Sequence, residues 1–499
     1  MRRLLTSLTC AALLTGCAST VQSTGVASQN PVDMPAGTSS EFAVPSQPGA
    51  TGSAASTTAR AGTSGVVAGG PVATAAPTAP GSVPIATAGL SLGPGVDAKT
   101  ITVGFTIQDN NATVSSIAST YNVQLADNRG AYEALVHYYN AHGGIDGKTL
   151  RPIYYTYDPT SGTADQIGQA ACATFTEDHQ IFAALDTFGS NAFNTCLQQR
   201  GRVMVQYGLY FGSRSTWTKY SNEVAADGLP LDDGGLILAE HLATSGFLSK
   251  STHLGAIVRS SPDLTTAYKD GFVPALAKYG LKVDQTQYIR DAQAASDISG
   301  YTADISSAVL KFRSSGIDRV VFLDSGSYAA TVFSQTAEQQ HYRPRYGFSS
   351  LNSIVGLQGS NSTAPQQQLA GAQGVSWETQ ADGLAKTPTS SAKQCLAILK
   401  KGGVVPTDAG TEASYLKTCQ TFFLFKAAAD VAGTDLNRDT FINAIERLGS
   451  TYVATNTWDG MTHFGAGDRS GVSVYRPFDY HSNCSCFRVS GAIQSVGSS

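Results

Sequence analysis

Six cysteines lie past residue 100: Cys172, Cys196, Cys395, Cys419, Cys484 and Cys486. An even number favours disulfides in an exported chain, and six sulfurs allow fifteen pairings. The run HSNCSC brings His481 close to Cys484 and Cys486. Zinc needs four ligands and this run supplies three, so a disulfide or free thiols is the stronger reading and no metal site is assigned. The other histidines are scattered; His137 and His142 do not share a helical face. The sequence has no G-x-S-x-G elbow, no H-E-x-x-H and no G-x-x-x-x-G-K-[ST] phosphate loop. Asp158 and Asp186 follow strand-like runs, as catalytic carboxylates do, but binding clefts use the same positions. The chemistry expected is recognition, with no catalytic residue and no cofactor.

The composition agrees. Over 499 residues, Lys+Arg is 33 and Asp+Glu is 37, a formal net charge of −4 with no basic block. That leaves no electrostatic footprint for nucleic acid. Hydrophobic residues make up 42%, enough for a core, but long apolar runs for several membrane spans are missing, so the chain is not a channel or permease. Residues 1–17 read MRRLLTSLTCAALLTGC: a positive start, a short apolar stretch from Leu4 to Leu14, then Leu14-Thr15-Gly16-Cys17. This resembles the lipobox of bacterial lipoproteins, which implies cleavage before Cys17, lipidation of its thiol, and a body held outside the cytoplasmic membrane. The plainer alternative is a secretory signal with a chance cysteine. Residues 18–97 are mostly Ser, Thr, Ala, Gly, Pro and Val, with nine of the 19 prolines. Such a segment cannot offset its ordering entropy and reads as a disordered linker spanning roughly 50 Å.

From Ala98 onward, strand and helix patterns alternate. Strands are expected at Thr100–Gln108, Leu150–Tyr157, Ile181–Thr187, Arg202–Tyr207, Leu254–Arg259, Lys282–Ile289 and Arg319–Leu323. Helices are expected at Val123–His142, Ala164–Glu177, Asn191–Arg200, Leu264–Tyr279, Ala303–Ser314, Ala329–Gln340, Thr411–Ala432 and Arg438–Leu448. This alternation means βαβ units, and its length calls for two α/β lobes rather than one sheet.

The segment YEALVHYYNAHGGIDGK, Tyr132–Lys148, resembles the first helix and turn of type I periplasmic binding proteins, in particular the branched-chain-amino-acid-binding subfamily of ABC transporter solute-binding lipoproteins. Asn140, Gly143, Gly144, Ile145, Gly147 and Lys148 match its N-x-x-G-G-I-x-G-[KR] pattern. Leu254–Val283 and Asp304–Gly326 resemble the second lobe, including the strand entry Gly316–Val320. The resemblance covers roughly 98–490. It implies two Rossmann-like lobes with parallel sheets joined by three crossovers. Lobe one is placed at 98–228 plus 351–455 and lobe two at 229–350 plus 456–491, with 492–499 as a flexible tail. Relatives often bridge the region of Cys172 and Cys196. With Cys395–Cys419 as the second pair, each loop closes about 24 residues, worth roughly 3 kcal/mol, and leaves Cys484 with Cys486.

The resemblance places ligand contacts in the loops Gln108–Asn111, Phe188–Asn191, Gly208–Phe211, Ser260–Leu264 and Ser325–Tyr328. The candidates are Gln108, Ser190, Asn191, Tyr210, Asp263, Ser325 and Tyr328, with Asn352 as hinge or ligand residue. Ser190 and Asp263 each precede or open a helix, so capping competes with ligand contact. Relatives often carry a Tyr-Gly pair where this chain has Pro262-Asp263-Leu264. Trp217, Trp377 and Trp458 read as packing. The expected function is capture of a small polar ligand, an amino acid or related metabolite, by a monomeric lipid-anchored protein serving an ABC permease. The alternatives are a surface receptor without transport and a structural cell-envelope lipoprotein.

Overall fold

Strands that are apolar on both faces need helices on both sides, and this chain builds two such sheets. The structure, a computed structural model, describes residues 91–115, 125–186, 190–206, 212–359, 362–384 and 388–497. They belong to one body, Ile85–Ser499. The leader with Cys17, the linker up to residue 90, Phe188 and the loop carrying Tyr210 lie outside the described residues.

In the first sheet, β1 (Thr100–Gln108), β2 (Thr149–Tyr157), β3 (Ala183–Asp186), β4 (Val203–Gln206) and β5 (Glu223–Val224) run parallel in the order β2-β1-β3-β4-β5. Ile101, Val103 and Phe105 of β1 are completely buried. Helix α1 (Asn128–Ala141) connects β1 to β2. It starts later than the periodicity from Val123 predicts, because the Asp127 carboxylate caps it by accepting the Gly130 N–H at 2.9 Å. It stops at the glycine pair. Gly144 has φ +75°, and a Cβ there would lie 2.0 Å from the Lys148 carbonyl oxygen. Asn140 then grips β2, donating to the Leu150 carbonyl at 2.9 Å and accepting its N–H at 2.8 Å, while Ile145 is fully buried. The N-x-x-G-G-I-x-G-K motif is therefore a helix-to-strand staple at the amino end of β2, on the edge away from the one where α/β sheets bind ligands. Helices α2 (Ala164–Ala173), α3 (Asn191–Gln199) and α4 (Arg214–Lys219) follow β2, β3 and β4.

The chain then crosses to the second sheet through α5 (Leu231–Thr244), a helix that the sequence pattern does not announce because it carries Gly234 and Gly235. Tertiary packing explains the glycines. A Cβ on Gly235 would lie 2.9 Å from the Ala267 carbonyl oxygen, and one on Gly271 would lie 2.3 Å from that of Asp232. The two helical backbones approach more closely than side chains would allow. Strands β6 (Leu254–Arg259), β7 (Gln285–Ile289), β8 (Arg319–Leu323), β9 (Arg345–Ser349) and β10 (Gln373–Ser376) are parallel. Between them run α6 (Pro262–Thr266), continued by a π-helical turn into α7 (Val273–Lys278), then α8 (Ile298–Ser314) and α9 (Tyr328–Gln339). A small hairpin, β11 (His463–Gly465) with β12 (Asp468–Gly471), stands apart. Strands β13 (Val474–His481), β14 (Cys486–Val489) and β15 (Gln494–Ser495) add antiparallel to the second sheet, which is therefore mixed. No helix among the described residues is long and apolar enough to cross a membrane.

Two expected lobe boundaries move. The segment from 351, assigned to lobe one, stays with the second sheet: Leu351, Ile354, Leu357 and Leu369 fill its cores, and β10 pairs with β9 and β13. Only after Ala381, which still packs in the second core, does the chain return, bringing α10 (Ser390–Lys401), α11 (Ala409–Ala432) and α12 (Arg438–Leu448) onto the first core through Leu399, Phe422, Phe425 and Phe441. The third crossover, expected at 455/456, is drawn out. Trp458 packs in the second core, Phe464 returns to the first, and Val474 is back in the second. Alternating apolar anchors, invisible to a composition boundary, cause the excursion.

The disulfides are Cys172–Cys196, Cys395–Cys419 and Cys484–Cys486. The first joins α2 to α3 and the second α10 to α11. The third uses both sulfurs that a zinc reading would need. Trp217, Trp377 and Trp458 are all buried.

Candidate functional site

Loops that follow the carboxyl ends of parallel strands carry the ligands of open α/β sheets. Here those loops touch between the two sheets. Ala164, after β2, donates its N–H to the carbonyl of Gln293, after β7, at 3.1 Å. Asp263, after β6, accepts on Oδ1 from the Ser213 N–H (3.0 Å), the Ser213 hydroxyl (2.6 Å) and the Thr216 hydroxyl (2.5 Å), all after β4. The two carboxyl edges thus face one another, and among the described residues these pairs tie the loops, with Arg214 adding bonds to Asp232 and Asp233 at the start of α5.

The sequence-predicted residues divide by role. Gln108 is half-buried at the carboxyl end of β1. Ser190 caps α3, accepting the Phe193 N–H at 3.3 Å, and its hydroxyl donates to Asp165 Oδ1 at 3.0 Å. Asn191 is exposed, and its carbonyl accepts the Tyr220 hydroxyl at 3.3 Å. Asp263 is half-buried and serves as an interlobe tie; the helix it belongs to is capped by Ser261, which accepts the Leu264 N–H at 3.3 Å. Tyr328 packs its ring 5.6 Å from Tyr301 and shares a hydrogen bond with the Thr302 hydroxyl at 2.7 Å. Asn352 is buried beneath the second-sheet edge, donating to the carbonyls of Asp324 (3.0 Å) and Phe322 (3.3 Å). Tyr210 lies outside the described residues.

The centre of the second-sheet edge is a cluster that sequence reasoning missed. Arg259 ends β6, and Asp324 follows β8, its neighbour in the sheet. Arg259 Nε stands 2.5 Å from Asp324 Oδ1, and its Nη2 donates to the Ser325 carbonyl at 3.0 Å. The Tyr301 hydroxyl donates to Asp324 Oδ2 at 2.7 Å, and the guanidinium lies 5.7 Å from the Tyr301 ring centre. Burial pushes the fully buried Asp324 carboxyl up, opposed by the guanidinium and the tyrosine hydroxyl. Burial also works against the charge on Arg259, but Asp324 and then Tyr301 outweigh it and hold its pKa above the usual arginine value. The one sequence signal was a charged residue closing each of two buried apolar runs, LGAIVR and RVVFLD.

A second polar cluster lies where the connections between the sheets converge. Asp227 comes from the first connection, Glu378 from the second, and Thr455 and Asn456 from the third; all pack against α11. Lys417 Nζ donates to Glu378 Oε1 at 2.7 Å. Gln420 Oε1 accepts from the N–H groups of Thr455 (2.8 Å) and Asn456 (3.1 Å), and Thr379 N–H donates to the Asn456 carbonyl at 2.9 Å. Burial pushes the Asp227 carboxyl up to about 6. Among the described residues, no group of three or more His, Cys, Asp or Glu is placed to hold a metal ion.

No family model matches the chain, and no curated protein matches it. Solved structures do. A branched chain amino acid ABC transporter protein from Thermus thermophilus with bound valine is 12% identical, with a TM-score of 0.59 over 79% of this chain and 96% of that one. A solute binding protein of an ABC transporter from Rhodopseudomonas palustris BisB5, in complex with 3,4-dihydroxybenzoic acid, is 9% identical, with a TM-score of 0.56 over 80% of this chain and 98% of that one. A type 1 periplasmic binding protein from Bordetella pertussis Tohama I is 17% identical, with a TM-score of 0.55 over 79% of this chain and all of that one. At these identities the likeness is one of fold.

Proposed function

The chain has the fold of type I periplasmic binding proteins, and from that premise we propose that it is an extracytoplasmic solute-binding lipoprotein. It captures a small polar ligand, an amino acid or related metabolite, between its two lobes and hands it to an ABC permease. Cys17 carries the lipid that keeps the monomeric body at the outer face of the membrane. Gln108, Asn191 and Tyr210 contribute from lobe one, with Ser190 setting the start of α3. Ser325 and Tyr328 contribute from lobe two. The mechanism is reversible closure about the connecting segments, without bond chemistry.

The observation that carries this reading is the pairing of the two carboxyl edges through Asp263 with Ser213 and Thr216, and through Ala164 with Gln293. Such an arrangement encloses a guest between two sheets and excludes water around it. The test is thermal unfolding of the full chain with valine, 3,4-dihydroxybenzoate and a broad panel of metabolites. A ligand that binds only the folded state stabilises it by about 2.7 kcal/mol at a hundred times its Kd. At least one compound is expected to raise the melting temperature in a concentration-dependent way; a flat response to the whole panel defeats the proposal.

A further inference from the structure

Arg259 stands where a guest would meet the second lobe. It ends β6, the strand whose following helix provides the Asp263 tie, and β6 lies beside β7, whose following loop provides the Gln293 tie. Its side chain is 23% exposed, and among the described residues it makes no hydrogen bond or ion pair across to lobe one. Its partners among the described residues, Asp324, Ser325 and Tyr301, all lie on its own lobe. Nε faces Asp324 Oδ1 at 2.5 Å, and Nη2 gives one hydrogen to the Ser325 carbonyl at 3.0 Å. Asp324 is in turn fixed by the Tyr301 hydroxyl at 2.7 Å, and its carbonyl by Asn352 at 3.0 Å. Nη1 makes no hydrogen bond of normal geometry among the described residues, and Tyr301, which also interacts with the guanidinium, is the group that a ligand would meet beside it.

We propose that Arg259 is a specificity-determining residue whose outer edge takes the carboxylate of a small organic acid, with Asp324 and Tyr301 as positioning residues. This rests on the solute-binding reading above and narrows it to anionic ligands. A guanidinium held by the Asp324 ion pair and by the Nη2 bond to the Ser325 carbonyl is a planar fork whose orientation is set before the ligand arrives, and bidentate pairing with a carboxylate is what that geometry favours. Pre-set donors cost little ordering on binding. The nearby Asp291 keeps its negative charge while its carboxylate accepts the Gln293 side-chain amide at 2.6 Å, so a ligand carboxylate is drawn by direct hydrogen bonds to the guanidinium and not by a net positive field.

The experiment compares each acid with its primary amide on the full chain: valine against valinamide, and 3,4-dihydroxybenzoate against 3,4-dihydroxybenzamide. Affinities are read by calorimetry and melting shift. At least one acid is expected to bind roughly 10–100-fold more tightly than its amide, the range of a hydrogen bond to a charged group. Arg259→Gln alone strands a buried carboxylate and can fail to fold, so the decisive variant is Arg259→Gln with Asp324→Asn, which removes both charges. It is expected to lose the acid-over-amide preference, while Arg259→Lys keeps part of it. Arg290→Gln, at the same edge but paired with Asp304 on the surface, controls for general electrostatics and is expected to bind as the native chain does. Equal affinity for acid and amide, or full acid affinity in the double variant, makes Arg259 a mere counter-ion of Asp324 and overturns the proposal while leaving solute binding intact. A native chain that binds no compound of the panel defeats the solute-binding reading itself, and this proposal with it.

Discussion

The body carries two buried ionic clusters, and they are built on different principles. At the second-sheet edge, one arginine meets one aspartate, a tyrosine hydroxyl completes the carboxylate, and the cation keeps an open side. At the convergence of the connections, two carboxylates, Asp227 and Glu378, face Lys417 inside a fully closed site with Gln420 and Tyr452. The first cluster balances its charges and keeps its arginine 23% exposed, which suits the ligand contact proposed for it. The second has more acid than base and no open side. It holds the connecting segments together, and its surplus acid is accommodated by binding a proton. On the proposed reading, buried charge serves ligand contact in one place and a joint in the other, and stoichiometry together with access separates the two.

The strongest way to break this comparison is to remove the cation of the joint. Lys417→Met leaves Asp227 and Glu378 buried against one another without a counter-charge. Loss of one partner from a buried pair typically costs roughly 3–5 kcal/mol. Urea unfolding of the full chain is expected to show a drop in that range; a loss of well under about 1 kcal/mol means the cluster is wetter and looser than described.

Acidity comes next. Folded Asp227 keeps its proton up to about 6, whereas its ordinary value is 3.8. Between these values the unfolded chain binds fewer protons than the folded one, so the stability contributed by protonated Asp227 is complete below about 3.8 and is lost as the pH rises through 6. Lys417 opposes the rise and Glu378 reinforces it. Two pKa units amount to about 3 kcal/mol. The stability difference between the native chain and Asp227→Asn, followed from pH 4 to pH 7, is expected to shrink or reverse by about that amount in favour of the asparagine variant. A pH-independent difference assigns the stabilisation to packing instead.

The sequence made the strands most legible where apolar and β-branched residues dominate, as in Thr100–Gln108, a strand over its expected bounds. Leu254–Arg259 and Arg319–Leu323 are strands over the predicted bounds, and Arg438–Leu448 is a helix over its own because Asn437 caps it and Gly449 ends it. What stayed hidden depends on contacts across the chain. Helix α5 was masked by glycines whose purpose, backbone approach to the turn at Gly271, exists only in the packed state. Strands β9 and β10 contain Gly347 and Gly374, and a Cβ on Gly374 would lie 2.0 Å from the Phe348 carbonyl oxygen, so their sequences lack the usual β-branched run. In the site, Ser190 and Asp263 were visible as residues at helix starts, but the partners that decide their roles, Asp165 for one and Ser213 with Thr216 for the other, come from different elements. Arg259 and Asp324 passed as ordinary strand ends because only the β6–β8 register brings them together.

The smallest expected effect concerns the tie that spans the cleft rather than either cluster. Asp263 is half-buried and accepts three hydrogen bonds from the other lobe, so its removal exposes donors that water can partly satisfy. Asp263→Ala is expected to cost about 1 kcal/mol in unfolding stability, less than either change at the joint. On the proposed closure mechanism its larger consequence is conformational, since the tie would favour the closed arrangement and contribute nothing to an open one. By small-angle scattering, the full-length variant without ligand is expected to be more extended than the native chain, and a ligand found by the melting screen is expected to restore compactness with weakened affinity. If the variant keeps native dimensions and affinity while losing as much stability as Lys417→Met, Asp263 belongs with the joint, and the division between a closing edge and a fixed hinge fails.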